Sequence, residues 1–235
     1  MALVGMLQSC AGLIFAFALG AAHANPVTHW NRVALQLADE ANASMETRGE
    51  TFAALHTALF EVLNFIEGSR YPARHLVPSP RQLHMSHDAA AAGAAHTVLS
   101  AAHPKHRRWL DRQLELALQT IPAGVEKNSG VIAGRELGRI VHALRQAPPR
   151  ATRAIGDPLR WNAIVADLAS ASRRDALDTA WIHMHVATAL AAATDAESAH
   201  RVVRATLDQQ FGRLQVASAI ERRGSAYVEA LAIGR

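Results

Sequence analysis

Residues 89–102 restrict the fold of this chain most, because the stretch AAAAGAAHTVLSAA carries no charged side chain. Alanine has the highest helix propensity and a small side chain, so the run predicts a helix that neighbouring helices approach closely. A helix without charge over consecutive turns has no face that prefers water. We therefore expect this helix to lie at the centre of the fold and to be largely buried.

A second stretch, residues 129–145, repeats glycine at four-residue spacing, at Gly130, Gly134 and Gly138. Residues four apart share one face of a helix. Each glycine in a helix interior costs about 1 kcal/mol relative to alanine, and close packing against a second helix is the compensation we expect. The spacing differs from that of a glycine-rich nucleotide motif, so a phosphate-binding loop is the weaker interpretation.

The rest of the chain has helical periodicity, and no stretch sustains the alternation of a strand. The predicted fold class is therefore all-α, a single multi-helix bundle. The main predicted breaks are Arg48 with Gly49, a proline-rich loop over 71–80 and a linker over 147–157. The other predicted helices span 27–44, 51–67, 104–120, 159–171, 173–194, 195–210 and 214–222, with a last turn at 227–233. Ser86 and Ser172 are the predicted N-caps of the helices that follow them.

The first 24 residues contain no Lys, Arg, Asp or Glu, and residues 13–19 form the apolar run LIFAFAL. Ala22, His23 and Ala24 then match the small-residue cleavage site of a secretory signal peptide. The sequence predicts a signal peptide over 1–24, a helical domain over 25–235 and a periplasmic or secreted location. The apolar run is short for a bilayer crossing, so we expect no integral membrane span after cleavage.

The single cysteine, Cys10, falls inside the predicted signal peptide. The mature chain is therefore expected to contain no disulfide, thiolate nucleophile or cysteine metal ligand. The formal net charge is only +4, with the arginines spread along the chain. That distribution argues against a nucleic-acid partner, whereas a protein partner or a homo-oligomer stays open.

Thirteen histidines raise the question of a metal site. His84 and His87 are three residues apart, and so are His103 and His106. Neither pair has a carboxylate at a spacing that would complete a metal site, so we expect no metal there. His183 and His185 are two apart, which places them on different faces of a helix. Two acidic pairs, Asp39 with Glu40 and Glu61 with Glu67, are expected to be surface charges.

The segment from Trp30 to Arg145 resembles the N-terminal helical half of vanadium-dependent haloperoxidases, which belong with type 2 phosphatidic acid phosphatases and bacterial acid phosphatases. The stretches that carry the resemblance occur in the family's order: WNRVALQLADEA, FAALHTALFEVLNFIEGSRYPAR, SHDAAAAGAAHTVLSAAHP and GVIAGRELGRIVHALR. Residues 161–196 resemble the family's next pair of helices. The resemblance implies a helical bundle whose N-terminal half is 27–146 and whose degenerate C-terminal half is 158–235.

The resemblance also implies a pocket for phosphate, or for vanadate as its analogue, built from a Lys, an Arg-Pro pair, Ser-Gly-His and a final Ser-Arg with a downstream His. This chain departs from that pattern. No Ser-Gly-His occurs, and Ser129 and Gly130 are followed by Val131. By the resemblance, Arg204 stands near the Lys position, Arg213 at the last Arg position and Ala219 where the last His should be.

Three hypotheses for function follow. The first is an exported, noncatalytic relative of these enzymes, in which Arg204 and Arg213, with Arg201 nearby, could still bind an oxyanion. The second is an active phosphatase or haloperoxidase with a displaced site that uses His183, His185 or His200. The third is an unrelated periplasmic helical binding protein. No cofactor is expected, and vanadate or phosphate would bind only if the family's site survives.

Overall fold

The computed structural model describes residues 25–75, 83–145, 158–193 and 195–223, and in these ranges all regular structure is helical. The predicted all-α class is confirmed. The predicted signal peptide, the whole of the predicted linker and the last turn at 227–233 lie outside the described residues. The described ranges hold nine α-helices: α1 (Pro26–Glu40), α2 (Met45–Ile66), α3 (His87–Ala102), α4 (Arg107–Gln119), α5 (Val125–Arg145), α6 (Pro158–Ser172), α7 (Ala176–Ala192), α8 (Ala196–Phe211) and α9 (Arg213–Arg222).

The alanine-rich helix α3 lies at the centre of the N-terminal half, in contact with α1, α2, α4 and α5. Its alanines from Ala89 to Ala95 are fully buried, which confirms the prediction for this segment. The helix begins at a serine cap, because the Ser86 Oγ accepts the Ala89 N–H at 3.2 Å. Asp88 in the first turn adds a favourable negative charge at the positive end of the helix dipole.

Helices α3 and α5 run parallel with their backbones in contact. Successive glycines of α5 lie against successive turns of α3: Gly130 against Ser86, Gly134 against Ala90 and Gly138 against Ala94. A Cβ atom at Gly130 would stand 2.6 Å from the Ser86 carbonyl oxygen, and one at Gly138 would stand 2.9 Å from that of Ala94. The same constraint applies to Gly93 of α3, because a Cβ atom there would stand 2.7 Å from the Val131 carbonyl oxygen. The glycine repeat is therefore a helix-packing face, as predicted.

Helix α7 joins the two halves of the bundle. Leu177, Met184 and Ala187 on one side belong to the core around α2 and α3. Ile182 and Leu190 on the other side belong to a second core, shared with α6, α8 and α9. A helix that is apolar on both sides is one that neighbours cover all round. The position of α8, which packs on α7, therefore depends on how α7 is held, and α9 packs on α6 and α8.

Asn25 ties the start of α1 to the start of α7. Its Oδ1 accepts the Val27 N–H at 3.0 Å and caps α1. Its Nδ2 lies 2.9 Å from the Thr179 Oγ1 and 3.3 Å from the carbonyl oxygens of both Arg174 and Asp175. One side chain thus caps one helix and holds the first turn of another.

Several predicted boundaries are wrong. Gly49 does not break a helix but lies buried inside α2, which begins earlier because the Ser44 Oγ accepts the Thr47 N–H. Ser172 does not cap α7; Asp175 does, with its Oδ1 2.7 Å from the Asp178 N. Pro104 opens a single 3₁₀ turn before α4 rather than α4 itself. In each case a side-chain cap or a tight turn a few residues away sets the end of the helix.

None of the helices in the described ranges combines the length and the apolarity that crossing a bilayer requires.

Replacing Gly134 with alanine tests the α3–α5 contact. Gly→Ala normally stabilises a helix interior by about 1 kcal/mol. Here the new Cβ would meet the Ala90 carbonyl group, so we expect a net loss of about 1–3 kcal/mol in the free energy of unfolding.

The matched control is Gly124→Ala, because no atom lies within 4 Å of a Cβ placed there. Its free energy of unfolding should stay within about 0.5 kcal/mol of the wild-type value. Urea unfolding curves measure both variants. Equal stability of the Gly134 variant and wild type would refute a backbone-to-backbone packing face.

Candidate functional site

Three of the predicted site residues, His200, Arg204 and Arg213, line one groove on the surface of α8 and α9. The groove has a volume of about 640 Å³ and is also lined by Glu197, Arg201, Ala205, Asp208 and Gln209. The turn between the two helices is made by Gly212, whose φ of +81° lies in the region that favours glycine. That turn places Arg213, the first residue of α9, beside the last turns of α8.

Carboxylates compete for the arginines of this groove. The Arg201 guanidinium lies 3.1 Å from Glu197 Oε1, and Arg204 Nε lies 3.7 Å from Asp208 Oδ2. Arg213 is exposed and forms no ion pair with any residue that the structure describes. The groove therefore offers one uncommitted guanidinium beside two that are already partly neutralised.

His200 is half-buried on the same face, with its ring 5.8 Å from the ring of Trp161. Burial lowers the pKa of His200, and the positive charge of Arg204 lowers it further. The imidazole is therefore neutral at pH 7. A neutral imidazole beside cations can act as a nucleophile or a base toward a bound anion.

His183 lies elsewhere, in the closed core between α2, α6 and α7, with no exposed surface. Its Nδ1 is 3.0 Å from the Asn162 Oδ1, and its ring stacks on His56 with centroids 4.3 Å apart. His56 Nε2 in turn is 2.9 Å from the Asn31 Oδ1. Both amide oxygens are acceptors, because the Asn31 and Asn162 side-chain NH₂ groups donate to the carbonyls of Asn162 and Pro158. Both imidazoles therefore act as donors to the asparagines.

The other ring nitrogens, His56 Nδ1 and His183 Nε2, are buried and have no hydrogen-bond partner among the described residues. The two rings are within 15° of parallel, so their in-plane lone pairs cannot converge on one metal ion at a bonding distance of about 2 Å. In the described ranges, no cluster of three or more His, Cys, Asp or Glu side chains could hold a metal. His56 and His183 are thus a pair of neutral, buried polar side chains in the core.

His185 faces away from His183, as their spacing predicts. It is half-buried and packs edge-on against Trp181, with ring centroids 4.2 Å apart. Burial lowers its pKa, and the nearby charge of Arg74 adds to the shift. Of the three candidate histidines, only His200 shares a groove with Arg204 and Arg213.

Glu61 was expected at the surface, and that expectation is wrong, because only 1% of it is exposed. Its Oε1 accepts the backbone N–H groups of Arg74 and His75, both at 2.8 Å. Asn64, one turn further along α2, pairs with both the N–H and the C=O of Tyr71. These side chains fasten the loop that follows α2, which explains polar residues on a buried helix face.

The fastened loop in turn holds the start of α7. The Arg70 guanidinium lies 3.0 Å from Asp175 and 3.1 Å from Asp178, and the Tyr71 hydroxyl donates to Asp178 at 2.6 Å. Tyr71 also stacks on Trp181, with centroids 5.3 Å apart. Sequence reasoning missed this cluster, because its partners are more than 100 residues apart in the chain.

Comparison with protein families, with curated proteins and with solved structures finds no match to this chain.

The buried imidazoles predict a stability that depends on pH. Burial lowers the pKa of His56 from 6.5 to about 3, and burial together with His56 lowers that of His183 well below 6.5. Between pH 6.5 and about 3 the unfolded chain binds more protons at these sites, so the free energy of unfolding falls as the pH falls. Each histidine contributes up to about 1.4 kcal/mol per pH unit.

Denaturant unfolding at pH 7.5, 6 and 4.5 checks this. His56→Gln is the informative variant, because glutamine can still donate to Asn31 but does not titrate. We expect a shallower loss of stability with acid in His56→Gln than in wild type. Parallel curves for the two proteins would contradict the role of His56.

Proposed function

We propose that this chain is an exported, noncatalytic helical protein related to vanadium-dependent haloperoxidases and acid phosphatases, which binds a phosphate-like oxyanion at the groove of α8 and α9. The observation that carries the proposal is the shared groove of Arg204 and Arg213. The resemblance assigns these two residues to positions where the family has oxyanion-binding cations. They are nine residues apart, and the Gly212 turn brings them to one surface.

The ground for expecting no turnover is the number of histidines at the groove. The family reaction, as the resemblance implies it, needs one histidine as nucleophile or ligand and a second to protonate the leaving group. His200 is beside the arginines, whereas His183 is enclosed in the core and His185 packs against Trp181. Binding that does not favour the transition state over the ground state gives no rate enhancement.

The expected affinity is low. An arginine binds an oxyanion best when its fork of N–H groups is uncommitted. In this groove Glu197 and Asp208 already engage Arg201 and Arg204. We therefore expect inorganic phosphate or orthovanadate to bind with a dissociation constant of roughly 1 mM, weaker at high salt.

Calorimetric titration of the mature protein with phosphate tests this proposal. Arg213→Gln should weaken binding by about tenfold, the equivalent of one charge-assisted hydrogen bond. Arg112→Gln, an exposed arginine on α4 outside the groove, should leave it unchanged. Undetectable binding, or equal loss in both variants, would refute the oxyanion site. The wild-type protein should neither hydrolyse p-nitrophenyl phosphate nor, with vanadate and peroxide, brominate a phenol indicator.

The alternative function is a phosphatase or haloperoxidase whose site was rebuilt around His200. The specific observation in its favour is that His200 lines the same groove as Arg204 and Arg213, where burial and the charge of Arg204 lower the pKa of its imidazole. Turnover in the assays above that His200→Ala abolishes and His142→Ala preserves would establish this alternative. It would also overturn the noncatalytic proposal.

Export is tested separately. Cleavage after Ala24 leaves Asn25 as the first residue of the mature chain, so N-terminal sequencing of the periplasmic or secreted fraction should begin at Asn25. A full-length chain that remains in the cytoplasm would exclude export, whatever the groove binds.

A further inference from the structure

A second groove, separate from the one on α8 and α9, lies over the middle of the N-terminal half. Helix α3 forms its floor, and α4 and α5 form its two walls. Its volume is about 840 Å³, within the usual range of small-molecule sites. The groove is lined by His96, Thr97, Ser100, Ala101, Arg107, Asp111, Leu114, Glu115, Leu118, Gln119, Lys127, Arg135 and Arg139.

Cations on both walls exceed the carboxylates in the groove. Arg139 pairs with Glu136 of its own helix at 2.6 Å. The Lys127 Nζ donates to the carbonyls of Leu118 and Ile121 and so holds the end of α4. Arg107 and Arg135, on opposite walls, form no ion pair with any carboxylate among the described residues. Two uncommitted guanidinium groups that line one cleft from two helices favour an anion between them.

The position of Arg107 adds to this argument. It is the first residue of α4, a helix that has no acidic residue in its first turn. A cation there is opposed by the positive end of the helix dipole, typically by a few tenths of a kcal/mol or more. A residue that weakens its own helix, and that no described side chain compensates, is expected where a ligand supplies the compensation.

The floor carries a polar cluster of His96, Asp111 and Ser100. His96 is only 8% exposed, and its Nε2 lies 2.7 Å from the Asp111 Oδ1. The Ser100 Oγ lies 3.4 Å from the same nitrogen. In a Ser-His-Asp triad the serine and the carboxylate meet opposite nitrogens of the ring, and here both are at Nε2. The geometry therefore excludes that triad in the conformation described and leaves Ser100 as a hydroxyl for hydrogen bonding.

We propose that this groove binds an anionic amphiphile: a single apolar chain or ring that bears one phosphate or carboxylate group. The anionic group would lie between Arg107 and Arg135. The apolar part would lie along Leu114, Leu118 and Ala101, the apolar members of the lining. The inference is independent of the oxyanion site at α8 and α9, because the two grooves share no residue.

The apolar lining separates this ligand class from a free inorganic anion. Each methylene that leaves water on binding contributes about 0.8 kcal/mol, close to fourfold in affinity, when it is fully buried. An alkyl phosphate is therefore expected to bind this groove at least tenfold more tightly than inorganic phosphate does. In the α8–α9 groove seven of the eight lining residues are polar and none is a leucine, so we expect a smaller gain in affinity from the alkyl chain there.

The experiment is a calorimetric titration of the mature protein with decyl phosphate, kept below its micellar concentration. Saturable binding should weaken at least tenfold in the double variant Arg107→Gln with Arg135→Gln. Arg112→Gln on α4 and Arg213→Gln in the α8–α9 groove should bind as wild type does. Circular dichroism and unfolding curves verify that each variant is folded. Leu118→Gln provides a second variant that acts on the apolar part, because Leu118 lines the groove and is only partly buried.

Three outcomes would overturn the inference: no saturable binding up to about 1 mM, unchanged binding in the double variant, or the same loss in Arg112→Gln. If the groove bound a tetraglutamate peptide saturably but did not bind decyl phosphate, it would be a site for an acidic protein segment instead. Loss of phosphate binding in Arg213→Gln without loss of decyl phosphate binding would show that the two grooves act separately.

Discussion

The backbone contact between α3 and α5 is the constraint on which the N-terminal half depends. Two parallel helices approach until a Cβ at Gly134 has no room, and the alanines of α3 allow α1 and α2 to close on its other sides. Dispersion and the exclusion of water stabilise this contact. The hydroxyl of Thr97, which lies against Gly138, donates to the Gly93 carbonyl of its own helix. Helix α4 connects these two helices in the chain and packs on α3, and the cleft over α3 lies between α4 and α5.

Small residues made the centre of the fold predictable. Alanine and glycine in 89–102 and 129–145 permit few arrangements other than close helix packing, and α3 and α5 lie where those patterns indicate. Helix ends were less predictable. Gly49 looks like a breaker in sequence, but α2 continues through it, because Ser44 caps the helix upstream and the burial of residues 51–64 outweighs the local cost of one glycine. At this position tertiary packing, and not local helix propensity, determines that the helix continues.

The polar residues behaved differently, because their roles depend on partners that are remote in sequence. Arg204 and Arg213 were singled out through the resemblance, and they do share a groove, but nothing local to Glu61 reveals that it fastens a loop. His183 was a candidate for chemistry and lies in the core, stacked on His56, a residue no motif drew attention to. Spacing on one helix predicts the face of a side chain, but not which distant helix covers that face.

Asn25 gives the processing site a structural consequence. If export removes residues 1–24, the new terminal residue is the one that caps α1 and holds the first turn of α7. No flexible residues then separate the cleavage point from α1, because Asn25 is the N-cap of that helix. Removal of Asn25 by an aminopeptidase would leave α1 uncapped. It would also remove the hydrogen bonds from Asn25 to the start of α7, the helix that contributes side chains to both cores. The accuracy of one proteolytic cut would thus set how firmly the two halves of the bundle stay together.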